Sequence, residues 1–330
     1  MQPVRRWWLI LVGVALLLPV ISWPGRGIAG EVQETAQEIK YPYTFGPIVT
    51  SPANPLAKGK FSLQPYWYLY STNSKFSPNW RRINAGGNYA SFETVLQLNY
   101  GLWDDLQVFA VIPFIQDWAH SVNDPGPNGE RSADFGGLGD VSLSFKYRVI
   151  AETFVVPTVS YLLTAGFPTG HFSHLNPGRL GTDRIGSGSY AVTTGFNLSK
   201  LAQPLIFYVN LWYTLHTDFT TDTAATGRKG VGASVTGANH PPDTVTINLA
   251  MEWPCAGKWV ALLELFGYGD AGRLIGPRAN QAPGARITIL PAMEYMATRQ
   301  LSMALGLEID LAGKNANANY TPVFSLIYGF

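Results

Sequence analysis

The sequence predicts an all-β fold: a transmembrane antiparallel up-and-down β-barrel of about twelve strands. Three observations predict it. Apolar and polar residues alternate along segment after segment, the gaps between those segments are short and long in turn, and the last segment is an alternating run that ends on Phe330. The composition agrees. Charged residues make up 14% of the 330, well below the usual quarter, while aromatics reach 13%. Cys255 is the one cysteine, so no intrachain disulfide can form.

The elements follow in chain order. Residues 1–30 read as an export signal. Arg5 and Arg6 form a basic start, Trp7–Val20 is apolar, and Pro24, Gly25, Ala29 and Gly30 lead to a cut. An uncleaved anchor is the alternative; a lipoprotein would need a cysteine at the cut. Cleavage removes Arg5, Arg6 and Arg26 and no acid, so 23 basic against 22 acidic residues becomes 20 against 22, a net −2. That balance argues against a nucleic-acid partner, which requires a basic face. After residue 30 no apolar run approaches the ~18–20 residues of a spanning helix.

Residues 31–59 contain Tyr41, Pro42, Tyr43, Phe45, Pro47, Pro52 and Pro55. The prolines exclude a central strand or a long helix. The segment reads as a periplasmic linker, or as a partial plug folded into the barrel.

Residues 60–330 form the barrel domain. Strands are expected at 61–70, 88–101, 106–115, 139–150, 154–166, 187–199, 205–217, 243–253, 258–268, 285–296, 300–312 and 320–330. In 88–101, Phe92, Leu96, Leu98 and Tyr100 oppose Ser91, Glu93, Gln97 and Asn99. In 139–150, Val141, Leu143, Phe145, Tyr147 and Val149 oppose Ser142, Ser144, Lys146 and Arg148. Similar alternation runs through 187–199, 243–253 and 300–312, a period of two that demands two different faces. Segments 258–268 and 285–296 have mixed faces. The short gaps are LWDD (102–105), AET (151–153), KLAQP (200–204), PCAG (254–257) and ATR (297–299), and the gaps between them are long and rich in Gly, Pro, Asn and Asp. Outer-membrane barrels have this asymmetry, with short periplasmic turns and long outer loops.

A charge on the lipid face near the midplane costs ~2–4 kcal/mol. Lys146 and Arg148 therefore belong inside, on a polar lumen. The same register turns Glu93, Glu252, Glu308 and Asp310 inward, with Glu264, Glu294 and His216 beside them. These charges line a solute path or brace the wall as ion pairs. On the last strand Phe324, Leu326, Tyr328 and Phe330 share one face and form the expected signal to the barrel assembly machinery. The other expected partners are outer-membrane lipid and a small-molecule solute.

No catalytic residue, metal site or cofactor is assigned. In HFSHLNPGR (171–179), His171 and His174 lack a third metal ligand at a matching spacing. The same stretch puts Ser173 and Asn176 beside a histidine, but all within one Gly/Pro-rich loop.

Four pieces in order carry a resemblance: NYGLWDDLQVFAVIPF (99–114), GGLGDVSLSFKYRV (136–149), TAGFPTGH (164–171) and GTDRIGSGSYAVTTGFNLSK (181–200). Together they resemble bacterial outer-membrane barrel proteins catalogued as transporters of the meta-pathway of phenol degradation. The resemblance covers roughly residues 60–330. It implies a barrel of the bacterial outer membrane that passes small hydrophobic or aromatic compounds. The expected function is a passive channel for small organic solutes; the alternatives are a lipid hydrolase and a structural barrel with a closed lumen.

Overall fold

The computed structural model describes residues 44–224 and 234–330. The export signal assigned to 1–30, and 31–43 of the following segment, lie outside the described residues.

The strands are β1 (Phe61–Phe76), β2 (Arg82–Trp103), β3 (Leu106–His120), β4 (Ala133–Leu138), β5 (Val141–Ile150), β6 (Thr158–Phe167), β7 (Ala191–Ala202), β8 (Leu205–His216), β9 (Phe219–Thr221), β10 (Gly237–Asn239), β11 (Asp243–Ala256), β12 (Trp259–Ala271), β13 (Ala285–Met296), β14 (Leu301–Lys314) and β15 (Ala316–Gly329). β9 and β10 form a small hairpin in the loop after β8. The others form one antiparallel sheet that closes on itself, because β1 pairs with β2 on one side and β15 on the other, and β2 pairs with β3. β3 pairs with β5 along Leu106–Val111 and with β4 along Phe114–Ala119, so β4 and β5 are halves of one wall strand and the barrel has twelve. Pro113 causes the break. It has no N–H to give a partner, and the chain opposite kinks at Gly139, whose N–H donates to the Pro113 carbonyl at 2.9 Å.

The faces follow the alternation. Along β5, Leu143, Phe145, Tyr147 and Val149 are exposed on the outside, while Ser144 and Lys146 are 2% and 4% exposed. Outward leucines such as Leu163, Leu211, Leu249, Leu263 and Leu305 lie in the middle of their strands. Near the short turns the exposed outer residues include the aromatics Trp103, Tyr147, Trp253, Trp259 and Phe330. Near the long loops Phe114, Phe167, Tyr190 and Tyr320 repeat this. An apolar band between two aromatic girdles is the exterior of a membrane barrel.

Several boundaries differ from the sequence reading. The long gaps expected after the first strand and before the last are largely sheet. Lys75 pairs with Ile83 and Phe76 with Arg82, leaving 77–81 as the turn. β14 and β15 are separated by Asn315 alone, in the left-handed region at φ 48°. The strict alternation of loop lengths therefore fails at these two hairpins, whose strands stay paired up to the turns. Among the described residues the long loops are 121–132, 168–190, 217–224 with 234–242, and 272–284. The strand expected from 154 starts at Thr158, because Pro157 cannot donate to the ladder. The one expected from 187 starts at Ala191, because Ser187 and Gly188 fold into the preceding loop.

Candidate functional site

The lumen holds its own lining. Residues 44–56 run around the inner wall near the short-turn end, meeting side chains of successive strands. The Thr44 hydroxyl lies 2.9 Å from Glu294 on β13 and 3.1 Å from Glu252 on β11. The backbone N–H groups of Ile48, Val49 and Thr50 all donate to the Glu264 carboxylate on β12, at 2.7, 3.2 and 2.7 Å. Ser51 N donates to Asn210 on β8, Ala53 N to Ser199 on β7 and Leu56 N to Gln107 on β3, each at 2.8 Å. Pro47, Pro52 and Pro55 fall between these donors and have no N–H to satisfy. Irregular backbone is tolerated at membrane depth only where protein satisfies its polar groups. Here prolines remove donors and inward side chains accept the remaining ones.

Packing seals the arrangement. Ile48 is buried against Val260, Leu262, Leu290, Ala292 and Val323 of the inner wall, with Phe45 and Val49 beside it. Where the segment leaves the lumen it crosses β2 at Gly101. A Cβ there would stand 2.0 Å from the Ala57 carbonyl oxygen, so only glycine fits.

The sequence-assigned lumen residues divide into distinct settings. Glu252 is fully buried behind the lining segment and accepts from Tyr208 Oη at 2.7 Å. Glu93 pairs across the strands with Tyr68 and shares its inward face. Glu308 is buried. Asp310 accepts from Thr288 Oγ1 at 2.6 Å and from Asn319 N at 2.8 Å, and Arg286 lies 3.5 Å away. It braces the wall. Arg148 is at the short-turn rim, donating from Nε to Asp105 at 2.8 Å. Lys146 lies deep inside and donates to the Pro52 carbonyl of the lining segment at 2.9 Å. Phe324, Leu326, Tyr328 and Phe330 follow the outer face of β15. Phe324 stacks on Trp67, and Phe330 meets Phe61 and Tyr328.

Inside the lining segment lies a cavity of about 810 Å³. Its wall carries Lys146, the hydroxyl-bearing Ser142, Ser144, Thr164, Thr193 and Thr214, and the amides Gln97, Asn99 and Gln107. Phe109, Trp212, Tyr66 and Tyr68 give it aromatic faces. Tyr66, Tyr68 and Tyr70 stack along β1 with ring centres 6.1 and 5.9 Å apart. Sequence reasoning did not single out this tyrosine ladder, although its i, i+2, i+4 spacing is visible in QPYWYLY (64–70).

At the long-loop end, three of the glycine-rich sequence pieces meet. Asp140 follows the wall break, and its carboxylate accepts from Gly170 N at 3.0 Å and Ser187 N at 2.8 Å. Thr169 Oγ1 donates to the Gly139 carbonyl at 2.7 Å. The two sides of the loop come together at Gly170 and Gly186, where a Cβ on either would clash with backbone of the other. GLGD, PTG and GSGS thus form a latch that ties loop 168–190 to the wall. Arg184 is buried within this loop, and burial pushes its guanidinium down to about 10.

The HFSHLNPGR residues are engaged separately. His171 Nδ1 lies 2.7 Å from the Asp183 carbonyl, His174 pairs with Asp222 at 2.6 Å, and Asn176 Oδ1 accepts from Gly178 N at 2.9 Å.

The chain matches no protein-family model and no curated protein. Among solved structures it is similar to an outer membrane channel from Pseudomonas putida F1, at 15% identity and a TM-score of 0.64, covering 84% of this chain and 98% of that one. It is also similar to the translocator domain of the autotransporter NalP from Neisseria meningitidis, at 13% identity and a TM-score of 0.45, covering 83% and 89%. The CymD monoaromatic hydrocarbon channel aligns at 12% identity and a TM-score of 0.39, covering 83% and 89%. At these identities the likeness is one of fold, that of a closed outer-membrane-type barrel.

Proposed function

We propose that the protein is an outer-membrane channel through which small organic solutes, aromatic ones included, diffuse passively. The observation that carries this reading is the cavity of about 810 Å³ inside a closed wall, with polar side chains and aromatic faces. That volume lies within the ~300–1,000 Å³ that accommodates drug-sized ligands, whereas a structural barrel would fill its bore with side chains. The similar fold of the Pseudomonas putida F1 channel supports it. So does the family resemblance in the glycine-rich pieces, whose implied solutes match the aromatic lining.

The test is reconstitution. Purified protein in a planar bilayer is expected to give discrete current steps, and liposomes carrying it are expected to take up benzyl alcohol faster than empty ones. A folded barrel giving neither current nor accelerated uptake would exclude the reading. Lysolipid release from phospholipid vesicles, abolished by Ser173→Ala, would replace it with the hydrolase alternative.

A further inference from the structure

We propose that the lumen cavity is an anion site that takes a planar organic monoanion, such as a carboxylate or phenolate on an aromatic ring, with Lys146 holding the charge. The inference rests on the channel reading and deepens it. Among the described residues lining the cavity, Lys146 is the one charged side chain; no Asp or Glu is among them. This is unexpected in a lumen rich in carboxylates.

Glu93 and Glu308 are not among the residues lining the cavity, and four other carboxylates are engaged elsewhere. Glu264 is saturated by three backbone N–H groups of the lining segment. Glu252 and Glu294 lie at the Thr44 hydroxyl and bind Tyr208 and Ser302 respectively. Asp310 is held by Thr288, Asn319 and Arg286. The segment thus covers the acids of β11–β13 and leaves an uncompensated ammonium on the opposite side. The Lys146 ammonium has three hydrogens. One goes to the Pro52 carbonyl, and the other two have no acceptor among the described residues. A buried charge without a counter-charge is costly, and in a low-dielectric bore its field reaches far. A passing anion relieves that cost; a cation adds to it. The Ser144–Thr164 hydroxyl pair adds donors nearby, and Phe109 and Trp212 offer faces for a ring.

The test uses the full mature chain in a planar bilayer under a potassium chloride gradient, with benzoate, benzylammonium and benzyl alcohol as probes. Lys146→Gln keeps a donor for Pro52 and removes the charge; Lys146→Arg keeps both. Ser144→Asp places an acid on the same strand without touching Lys146. Wild type and Lys146→Arg are expected to prefer chloride, with benzoate interrupting the current at about tenfold lower concentration than benzylammonium. Lys146→Gln and Ser144→Asp are each expected to lose that difference. A potassium preference in wild type, or unchanged selectivity in both charge-altering variants, would overturn the proposal while leaving the channel reading intact. Absence of current with every probe would instead defeat the channel reading. The site is then read by benzoate quenching of tryptophan fluorescence, where loss in Lys146→Gln upholds the proposal and equal quenching ends it.

Discussion

Glu264 concentrates the chemistry of the lumen in one residue. It is 0% exposed and has no cation partner among the described residues, yet its two oxygens receive three consecutive backbone N–H groups from residues 48–50. Such a run of amides is a natural anion cradle, and hydrogen bonds to a charged group contribute ~1.5–3 kcal/mol each. Glu264→Gln sets an NH2 group against donors and weakens the cradle. It is expected to lower the urea midpoint of the reconstituted barrel and to raise its mean conductance as residues 44–56 loosen. Unchanged conductance would show that the segment does not restrict the path. The inward orientation of Glu252 and Lys146 was legible in the alternation of their strands, whereas Glu264 sits in a segment of mixed faces. Their separate settings were not, because they depend on which lumen groups the lining segment reaches, and that segment has no periodicity to read.

At the scale of elements, the latch and the loops show what irregular sequence encodes. GLGD, PTG and GSGS were legible only as glycine punctuation. In the fold each supplies either a close backbone approach or an N–H for Asp140. Loop 168–190 is also tied to the loop after β8, since Asp222 accepts from His174 N at 2.7 Å and pairs with its ring. The backbone N–H of His174, aided by the Thr223 hydroxyl and the His174 ring, holds the Asp222 carboxyl below its ordinary 3.8. A depressed acid contributes its contact fully above the ordinary value and loses it as pH falls through the depressed one. Protease cleavage in 217–224 is therefore expected to be slow at neutral pH and to quicken only in acid below about 4, with Asp222→Asn removing the transition. The outer hairpins β1–β2 and β14–β15 exceeded the sequence reading because polar, glycine-containing stretches such as RINAGGN (82–88) lack alternation. They pair because neighbouring strands already hold them in register.

At the scale of the whole molecule, closure is the governing fact. β1 joined to β15 leaves no edge in lipid, where unpaired backbone groups are prohibitively costly. The exterior must then be apolar on every strand. Leu143→Arg, mid-strand on the outer face, is expected to cost ~2–4 kcal/mol in urea titration of the membrane-inserted barrel, and Ser142→Arg on the lumen side of the same strand far less. Equal costs would mean the register has been misassigned. The sequence by itself determined the strand count, the inward and outward faces of the strictly alternating strands and the approximate short turns, because a period of two between lipid and water is a local pattern that each strand must satisfy alone. Only the tertiary structure decided that residues 44–56 line the bore, that Glu252, Glu264 and Glu294 are covered while Lys146 faces the cavity, and that three glycine pieces make one latch. Those contacts join residues up to 250 positions apart, as Thr44 joins Glu294, and no local pattern constrains them until the wall has closed.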